Sequence, residues 1–471
     1  MTELHDLTAL EQAAALRRAE LTSTELVEHY LDRIRRLSDD LGAFVTVTAE
    51  QALAAAARLD RAGAVGRDGP PLRGVPVAIK DLTATAGVRT TFGAAAMRDF
   101  VPDVSDEVVL RLERAGLVSL GKTNTPEFGS PCYTEPEVAP PARTPWDLRR
   151  GAGGSSGGAA AAVAAGLVPW AHGSDGGGSI RIPASSCGLV GLKPSRGRVS
   201  SAPMFGDPVG LGTHGTIART VRDAAALLDL MSGPAVGEPS WAPALPNGET
   251  YLHWCDRPPG RLRVARFSEP VIADTAVHPD CLEAYEQASA LLTDLGHDVE
   301  DVASPLPAGS VEVFETCWAV LTALLPPEVA ESADLRPLTR WLAERGRRVS
   351  APEFGLAVGE LRRLGAHAVR ALAPYDAVLT PTLAAPPAPV GSLRDDARPD
   401  RDFENQKRFT PYTSAWNVTG MPAVSLPLHW SDGLPIGVML AGRPAQEHLL
   451  VALAAQVEDA APWRDRRPPC W

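Results

Sequence analysis

Two glycine-rich segments near the middle of the chain decide the fold. They read Gly151-Ala-Gly-Gly-Ser-Ser-Gly-Gly-Ala-Ala-Ala-Ala-Val-Ala-Ala-Gly166 and Gly173-Ser-Asp-Gly-Gly-Gly-Ser-Ile-Arg-Ile-Pro-Ala184. The first predicts a loop that enters an alanine-rich helix, and a strand then leads to the second. A helix of about ten residues covers ~15 Å, and a strand of about seven residues covers ~23 Å. Because the chain can return over that distance, we expect Ser155 and Ser179 at the same end of these elements.

A third segment, Gly74-Val-Pro-Val-Ala-Ile-Lys-Asp81, adds an amine. Its apolar residues predict a short buried strand, and Lys80 follows at the carboxyl end. Open α/β sheets present their ligand crevices at the carboxyl ends of strands. We therefore expect Lys80 to lie near the two serines.

Two hydroxyls and one amine suffice for nucleophilic catalysis without histidine. A serine hydroxyl is a weak nucleophile until a base takes its proton, and lysine is a base only when burial has lowered its pKa. The predicted catalytic residues are Lys80, Ser155 and Ser179. The backbone N–H groups of Gly176, Gly177, Gly178 and Ser179 would form an oxyanion hole, since glycine leaves the cavity open. Taken singly, each glycine cluster fits an ordinary turn equally well.

Two other motif matches are weaker. Gly116-Leu-Val-Ser-Leu-Gly-Lys-Thr123 fits the phosphate-loop pattern, but its β-prone interior and the nearby Pro126 favour a strand over an ATP site. Gly153-Gly-Ser-Ser-Gly157 matches the nucleophile elbow of α/β-hydrolases, yet a proline-rich loop precedes it where that fold needs a strand. His214 and His429 follow it without an obvious acidic partner.

Helix and strand patterns alternate along the rest of the chain, with short links. This order predicts the α/β class: a single large α/β/α domain over residues 1–471, with a mixed, mostly parallel central sheet covered by helices. The segment 309–373 reads as mostly helical. Thr8 to Glu11 and Thr22 to Glu25 read as capping boxes that open two helices.

Composition excludes several functional classes. A net charge of −12 argues against partners that are nucleic acids or acidic membranes. The six cysteines are scattered and the ten histidines show no ligand spacing, so neither a metal site nor a disulfide framework is expected. The first residues lack the apolar core of a signal peptide, and no segment is apolar enough to span a bilayer. A cytoplasmic location is the simplest expectation.

The chain resembles the amidase signature family. The resemblance rests on both glycine-rich segments and on four further stretches: Gly74–Asp81, Gly121–Phe128, Gly188–Ser195 and Thr419–Ala423. It implies the α/β fold named above, with a core region of about 70–235, and a triad in which Ser179 is the nucleophile, Ser155 follows a cis peptide bond, and Lys80 is the base. It implies no cofactor. Four supporting residues also fall on family positions, although plain loop hydrogen bonding explains them as well: Asp81, Ser156, Asp175 and Arg181.

Within the family, the segment from His172 to Pro183 is similar to bacterial amidases near the aminohexanoate cyclic-dimer hydrolases. Ile182 replaces the glutamine usual in glutamyl-tRNA amidotransferase A subunits, which disfavours that alternative without removing it. Trp416 stands where phenylalanine is usual, and Ser195 where threonine is usual. An amidotransferase subunit and a non-catalytic binding protein on the same scaffold remain the two alternatives.

The expected substrate is a small neutral amide or carbamate with apolar or aromatic groups. The candidate pocket residues are Phe128, Cys132, Tyr133, Trp318 and Trp416, with Thr316 and Cys317 nearby. Each of them fits ordinary core packing too, because aromatic side chains are mostly buried. A homodimer is the expected assembly.

Overall fold

The computed structural model describes residues 3–63, 69–203, 207–246, 248–307 and 309–471. Over these ranges one eleven-stranded sheet runs through the protein. Its strands, in chain order, are β1 (Phe44–Val47), β2 (Pro76–Lys80), β3 (Val118–Thr123), β4 (Trp170–Asp175), β5 (Val190–Lys193), β6 (Thr213–Ala218), β7 (Arg263–Arg266), β8 (Asp298–Asp301), β9 (Ala377–Pro381), β10 (Ala423–Ser431) and β11 (Leu434–Gly442). Their order across the sheet is β1-β3-β2-β4-β6-β5-β10-β11-β9-β7-β8.

The helices cover this sheet and confirm the α/β class. In the described residues they are α1 (Ala9–Arg17), α2 (Ser23–Leu41), α3 (Ala49–Arg61), α4 (Glu107–Arg114), α5 (Gly157–Ala164), α6 (Arg181–Cys187), α7 (Val221–Met231), α8 (Tyr251–Trp254), α9 (Pro279–Asp294), α10 (Ser310–Ala323), α11 (Pro327–Ala330), α12 (Pro337–Arg347), α13 (Ala351–Leu372), α14 (Pro399–Phe409), α15 (Ala415–Thr419) and α16 (Glu447–Ala460). The capping boxes predicted at Thr8 and Thr22 are both present. Residues 309–373 are mostly helical, as predicted.

The sheet is mixed, but the expected parallel majority is wrong. Four neighbouring pairs are parallel (β2–β3, β2–β4, β7–β8 and β7–β9), while the other six are antiparallel. One cause is a hairpin that the sequence analysis did not recognise. Asp432 and Gly433 join β10 to β11 with φ angles of 50° and 77°. Two positive φ angles in an Asp-Gly pair are typical of the tight type I′ hairpin turn.

The alanine-rich helix α5 lies in the interior, where every one of its residues is buried. Small side chains let neighbouring backbone approach closely. A Cβ on Gly158 would lie 2.3 Å from Asn124 N and 2.5 Å from Ala43 O. At its other end, Arg33 donates to the carbonyl oxygens of Ala165 and Gly166, at 2.8 Å each. This packing holds the N-terminus of α5, and with it Ser155, at one place under the sheet.

The segment that matches the phosphate-loop pattern does not form a loop. Gly121, Lys122 and Thr123 belong to β3. The Lys122 ammonium is buried, donates to Thr90 Oγ1 at 2.8 Å, and contacts the carbonyl of Thr83. An ammonium committed in this way is not available to a phosphate, so the interpretation as a strand is confirmed.

Within the described ranges, none of the helices has both the length and the apolar character that a membrane crossing requires.

We expect the Gly158→Ala substitution to lower the free energy of unfolding by about 1–3 kcal/mol, the usual cost of overpacking a dense interior. The added methyl would have to displace the backbone of Asn124 or Ala43. The measurement is equilibrium unfolding in urea.

Gly355→Ala in α13 is the matched control, because a Cβ there meets nothing within 4 Å. Alanine is the better helix former, so this variant should gain about 0.5–1 kcal/mol. Equal stability of the two variants would contradict the close packing described for α5.

Candidate active site

Lys80, Ser155 and Ser179 come from three separate segments of the chain, near the carboxyl ends of β2 and β4 and the start of α5. Lys80 is the last residue of β2, Ser155 stands two residues before α5, and Ser179 lies between β4 and α6. The Nζ of Lys80 is 2.8 Å from the Oγ of Ser155. Ser155 and Ser179 line the same cavity. The two serines therefore lie at the same end of these elements, as expected.

The amine of Lys80 is fully buried and contacts only uncharged oxygen atoms among the described residues. Besides Ser155 it reaches the carbonyl oxygen of Ser174 at 3.2 Å and the Ser174 Oγ at 3.1 Å. Burial lowers the pKa of Lys80 from 10.5 to about 7, although the nearby charge of Asp175 acts in the opposite direction. At neutral pH a large share of this side chain is therefore an uncharged amine.

The sequence analysis missed Ser174. The local sequence does not indicate that Ser174 has a function, since it is an ordinary residue within β4. It reaches Lys80 because β2 and β4 pair in parallel, with Ala78 opposite Ala171. Only this pairing brings the Ser174 hydroxyl to the lysine.

Ser155 follows a cis peptide bond from Gly154, which confirms that expectation. A Cβ at Gly154 would lie 2.9 Å from backbone atoms of Cys132 and Tyr133. Close contact with the neighbouring backbone therefore requires glycine at this position.

The hydroxyls of Ser155 and Ser179 are not hydrogen-bonded to each other. Ser179 is anchored instead through its backbone, since its carbonyl oxygen accepts from Ser156 N at 3.0 Å. Its side chain faces the cavity that Ser155 also lines. Catalytic hydrogen bonds in unliganded enzymes are often long and shorten once substrate is bound.

The glycine-rich loop after β4 offers three backbone amides, not the four that were predicted. The Gly178 N–H donates to Asp175 Oδ1 at 2.8 Å, so this amide is already committed. In the part of the chain that the structure describes, no group accepts a hydrogen bond from the amides of Gly176, Gly177 or Ser179. The Gly178 amide therefore helps to fix the loop, which leaves Gly176, Gly177 and Ser179 as the candidate donors to an oxyanion.

Asp175 holds this loop in shape. Its carboxylate accepts from Ile180 N at 3.1 Å and from Asn417 Nδ2 at 2.9 Å, and it forms a two-point ion pair with Arg181 at 3.0 and 2.8 Å. Burial disfavours its charge, but Arg181 outweighs that effect and holds the pKa of Asp175 well below its usual range. A buried carboxylate with this many donors is stable as an anion.

Asp81 and Ser156 have different partners. The Asp81 carboxylate accepts from Thr91 N at 3.0 Å and from Thr91 Oγ1 at 2.5 Å, and it lies 3.9 Å from Lys122 Nζ. It therefore stabilises the loop after β2 rather than pairing with Lys80. Ser156 Oγ donates to the Ser174 carbonyl at 3.3 Å, the same oxygen that Lys80 contacts.

The histidines give no support to the α/β-hydrolase alternative. His214 Nδ1 lies 2.9 Å from His172 Nε2, and His429 Nδ1 lies 3.0 Å from Gln287 Oε1. Burial lowers the pKa of both His172 and His214, so this pair is uncharged at neutral pH. Neither His214 nor His429 is paired with a carboxylate that could complete a Ser-His-Asp triad.

Two cavities open beside Ser179. The first, of about 860 Å³, is lined among others by Phe128, Ser155, Gly176 and Trp318. The second, of about 610 Å³, is lined among others by Cys132, Gly177, Ile182 and Trp318, together with Phe314 and Gln406, which the sequence analysis missed. Ser179 and Trp318 belong to the walls of both. Phe128, Cys132 and Trp318 thus each line a cavity beside Ser179, and their contact with substrate stays a prediction.

Tyr133 and Trp416 line neither cavity, which corrects their assignment to the pocket. The Tyr133 hydroxyl donates to Asp402 Oδ2 at 2.6 Å, in the interior. Trp416 is 1% exposed and packs in an apolar cluster with Tyr412 and Met439. Of the two residues suggested nearby, Cys317 is buried in the helix and Thr316 bonds back to the Glu312 carbonyl. Packing in the apolar cluster accounts for Trp416, and the hydrogen bond to Asp402 accounts for Tyr133.

One group of potential metal ligands exists in the described residues, and it lies elsewhere. Glu3, His5 and His29 approach one another at the N-terminal segment. Arg33 and Arg36 line the same depression. None of these residues contacts the cluster around Lys80.

Comparison with known proteins identifies the family of the chain. A protein-family profile described as Amidase matches residues 25–451. The chain is 37% identical to the 6-aminohexanoate-cyclic-dimer hydrolase of Paenarthrobacter ureafaciens, over 98% of this chain and 96% of that protein. It is 34% identical to an acylamidase of Rhodococcus erythropolis, over 99% and 98% of the two chains.

A solved structure of a 6-aminohexanoate cyclic dimer hydrolase is similar over the full length of both chains. The TM-score is 0.92 and the sequence identity is 34%. The similarity in sequence and in structure thus extends over nearly the whole chain. The protein therefore belongs to the amidase signature family and is an enzyme that hydrolyses amide bonds.

Proposed function

We propose that the protein cleaves small neutral amides through an acyl-enzyme, with Ser179 as nucleophile, Ser155 as proton relay and Lys80 as base. The observation that carries this proposal is the 2.8 Å contact between the buried Lys80 amine and Ser155. A lysine with a pKa of about 7 accepts a proton at neutral pH.

In the first step Ser155 gives its proton to Lys80 Nζ and takes the proton of Ser179. The Ser179 oxygen forms a bond to the substrate carbonyl carbon, and the carbonyl oxygen becomes an anion. This transfer requires a rotation of the Ser179 or Ser155 side chain, since the two hydroxyls are not yet hydrogen-bonded.

The free amides of Gly176, Gly177 and Ser179 are the candidate donors to the oxyanion. Such preorganised donors supply about 2.7–4 kcal/mol each when their loss is measured in other hydrolases. Asp175 contributes indirectly, because it fixes the loop through the Gly178 and Ile180 amides.

The intermediate collapses as the carbon–nitrogen bond breaks, and the same relay returns the proton to the leaving amine. Water then attacks the acyl-enzyme, which releases the acid and restores the Ser179 hydroxyl. Atoms and charges balance without any metal or organic cofactor in this scheme.

Mainly apolar walls favour neutral acyl and amine groups over charged ones. The two similar proteins named above are a cyclic-dimer hydrolase and an acylamidase, which supports linear or cyclic amides as the substrate class. Carbamates and esters share the carbonyl geometry, and we include them in the proposal as further substrates.

The first prediction concerns the triad. A sulfonyl fluoride should label Ser179, as located by peptide mass spectrometry. Ser179→Ala should lower kcat/KM by at least ~10³-fold, and Lys80→Ala by ~10²–10⁴-fold with little labelling.

Labelling at Ser155, or full activity of Ser179→Ala, would overturn the assignment of the nucleophile. Thr316→Ala is a suitable control for the protein preparation. Thr316 carries a hydroxyl on α10 but lines neither cavity, so its loss should leave both labelling and turnover unchanged.

The second prediction concerns pH. Below pH 7 the Lys80 amine is protonated and cannot accept the Ser155 proton. Therefore kcat/KM should rise tenfold per pH unit up to about pH 7 and level off above it. The measurement is the pH profile of kcat/KM for an uncharged anilide.

Lys193 provides the control for this profile. Burial lowers the pKa of Lys193 to about 7 as well, but its Nζ donates to the Pro194 carbonyl at 2.9 Å and has no contact with the triad. Lys193→Met should retain the rise around pH 7. If the Lys193→Met variant lost the rise around pH 7, the titrating group would be Lys193 and not Lys80.

The third prediction concerns the substrate class. The purified protein should turn over at least one member of a panel of aryl amides, lactams and aryl carbamates. No turnover of any member, combined with ammonia release from glutamine only after co-expression with partner chains, would favour the amidotransferase alternative.

A further inference from the structure

One face of helix α10 forms a wall of both cavities beside Ser179. Val311, Phe314 and Glu315 line the 610 Å³ cavity, and Leu321 and Thr322 line the 860 Å³ cavity. These residues recur at intervals of three and four, so they lie on one side of the helix. Val311 and Leu321 are ten residues apart, which corresponds to ~15 Å along the axis. A single helix therefore contacts both spaces at different points along its length.

Trp318 stands between these two sets, and it lines both cavities. Its indole lies directly over the glycine-rich loop after β4. A Cβ added to Gly176 would be 3.6 Å from this ring, and one added to Gly177 would be 3.9 Å from it. The indole therefore stands where the two cavities meet in front of Ser179.

The indole is held in place from two sides. Its Nε1 donates to Ser130 Oγ at 3.2 Å. The ring stacks on Phe314, with the centroids 5.5 Å apart and the planes at 18°. Ser130 also lines both cavities, so the hydrogen bond joins opposite parts of the partition.

The position of Ser155 distinguishes the two compartments chemically. Ser155 lines only the larger cavity, whereas Ser179 lines both. When the carbon–nitrogen bond breaks, the departing nitrogen must take a proton from the relay, and Ser155 is the relay residue next to it. The amine half of the substrate must therefore lie in the larger cavity, and the acyl half is left with the smaller one.

We propose that Trp318 is a specificity-determining residue, which separates an acyl subsite in the 610 Å³ cavity from a leaving-amine subsite in the 860 Å³ cavity. This inference rests on the proposed function and adds the location of each half of the substrate. The acyl subsite accepts a compact apolar group, because Cys132, Ile182, Phe314 and Phe403 line it. Where this cavity approaches the surface, a Glu315–Lys407 ion pair at 2.7 Å adds a polar contact.

The first experiment narrows each cavity separately with the same substitution on the same helix. Val311→Trp should lower kcat/KM about tenfold or more for anilides with longer acyl groups, and should lower it much less for a series of small N-alkyl acetamides. Leu321→Trp should do the reverse, and lose activity only as the amine becomes larger. Misfit of one or a few methylenes in an apolar pocket typically changes kcat/KM by 10–200-fold.

The second experiment removes the partition. Trp318→Ala should raise kcat/KM for substrates with branched acyl groups relative to acetyl by about tenfold, since the two compartments merge. Trp318→Phe and Ser130→Ala keep most of the wall but lose the indole–hydroxyl hydrogen bond, and both should shift this ratio in the same direction by a smaller factor. Leu324→Ala is the control, because Leu324 is 58% exposed just beyond α10 and lines neither cavity.

The outcomes separate this inference from the proposed function. No amide turnover by the unmodified protein would refute the proposed function itself. Turnover with Val311→Trp and Leu321→Trp affecting the opposite series would place the two substrate halves the other way round and refute the subsite assignment. An unchanged acyl ratio in the Trp318 variants would refute the partition. Should Trp318→Ala fail to fold, as judged by thermal unfolding, the Trp318→Phe and Ser130→Ala variants decide, and an unchanged ratio in both would refute it equally.

Discussion

The chemistry that we propose depends on the burial of one amino group among oxygen atoms that carry no charge. Lys80 Nζ contacts Ser155 Oγ and the carbonyl and hydroxyl of Ser174, in a place that water does not reach. An ammonium loses its hydration there, which favours the neutral amine. Lys122 differs in degree: burial also lowers its pKa, to about 8, while the charges of Asp81 and Asp106 act in the opposite direction. Of these two buried lysines, only Lys80 contacts Ser155, and it is the one that we propose as the base.

Asp175 is the opposite case, a buried carboxylate that carries a negative charge. Its buried negative charge is matched by Arg181 and by donors from Gly178, Ile180 and Asn417. Breaking a buried pair of this kind leaves an uncompensated charge, which is strongly destabilising. These contacts anchor the base of the glycine-rich loop, while among the described residues no group accepts a hydrogen bond from the amides of Gly176, Gly177 or Ser179.

Much of this arrangement was accessible from the sequence, because it follows from local rules. Lys80 at a strand end and Ser155 before an alanine-rich helix are each visible in short segments, and so is Ser179 after three glycines. Local rules did not predict which aromatic residues line a cavity and which are buried in the core. Trp318 lines both cavities, while Trp416 is buried in the core, and side-chain type alone does not distinguish the two positions.

The sequence by itself determined the α/β class and singled out Lys80, Ser155 and Ser179 as the proposed triad, since each depends on the local character of a short segment. Only the tertiary structure decided the antiparallel majority of the sheet, the contact of Ser174 with Lys80, the loss of the Gly178 amide to Asp175 and the division of the cavity by Trp318. These features arise from pairs of residues far apart in the chain. Their distances are set by how strands pair and helices pack, which no single segment records.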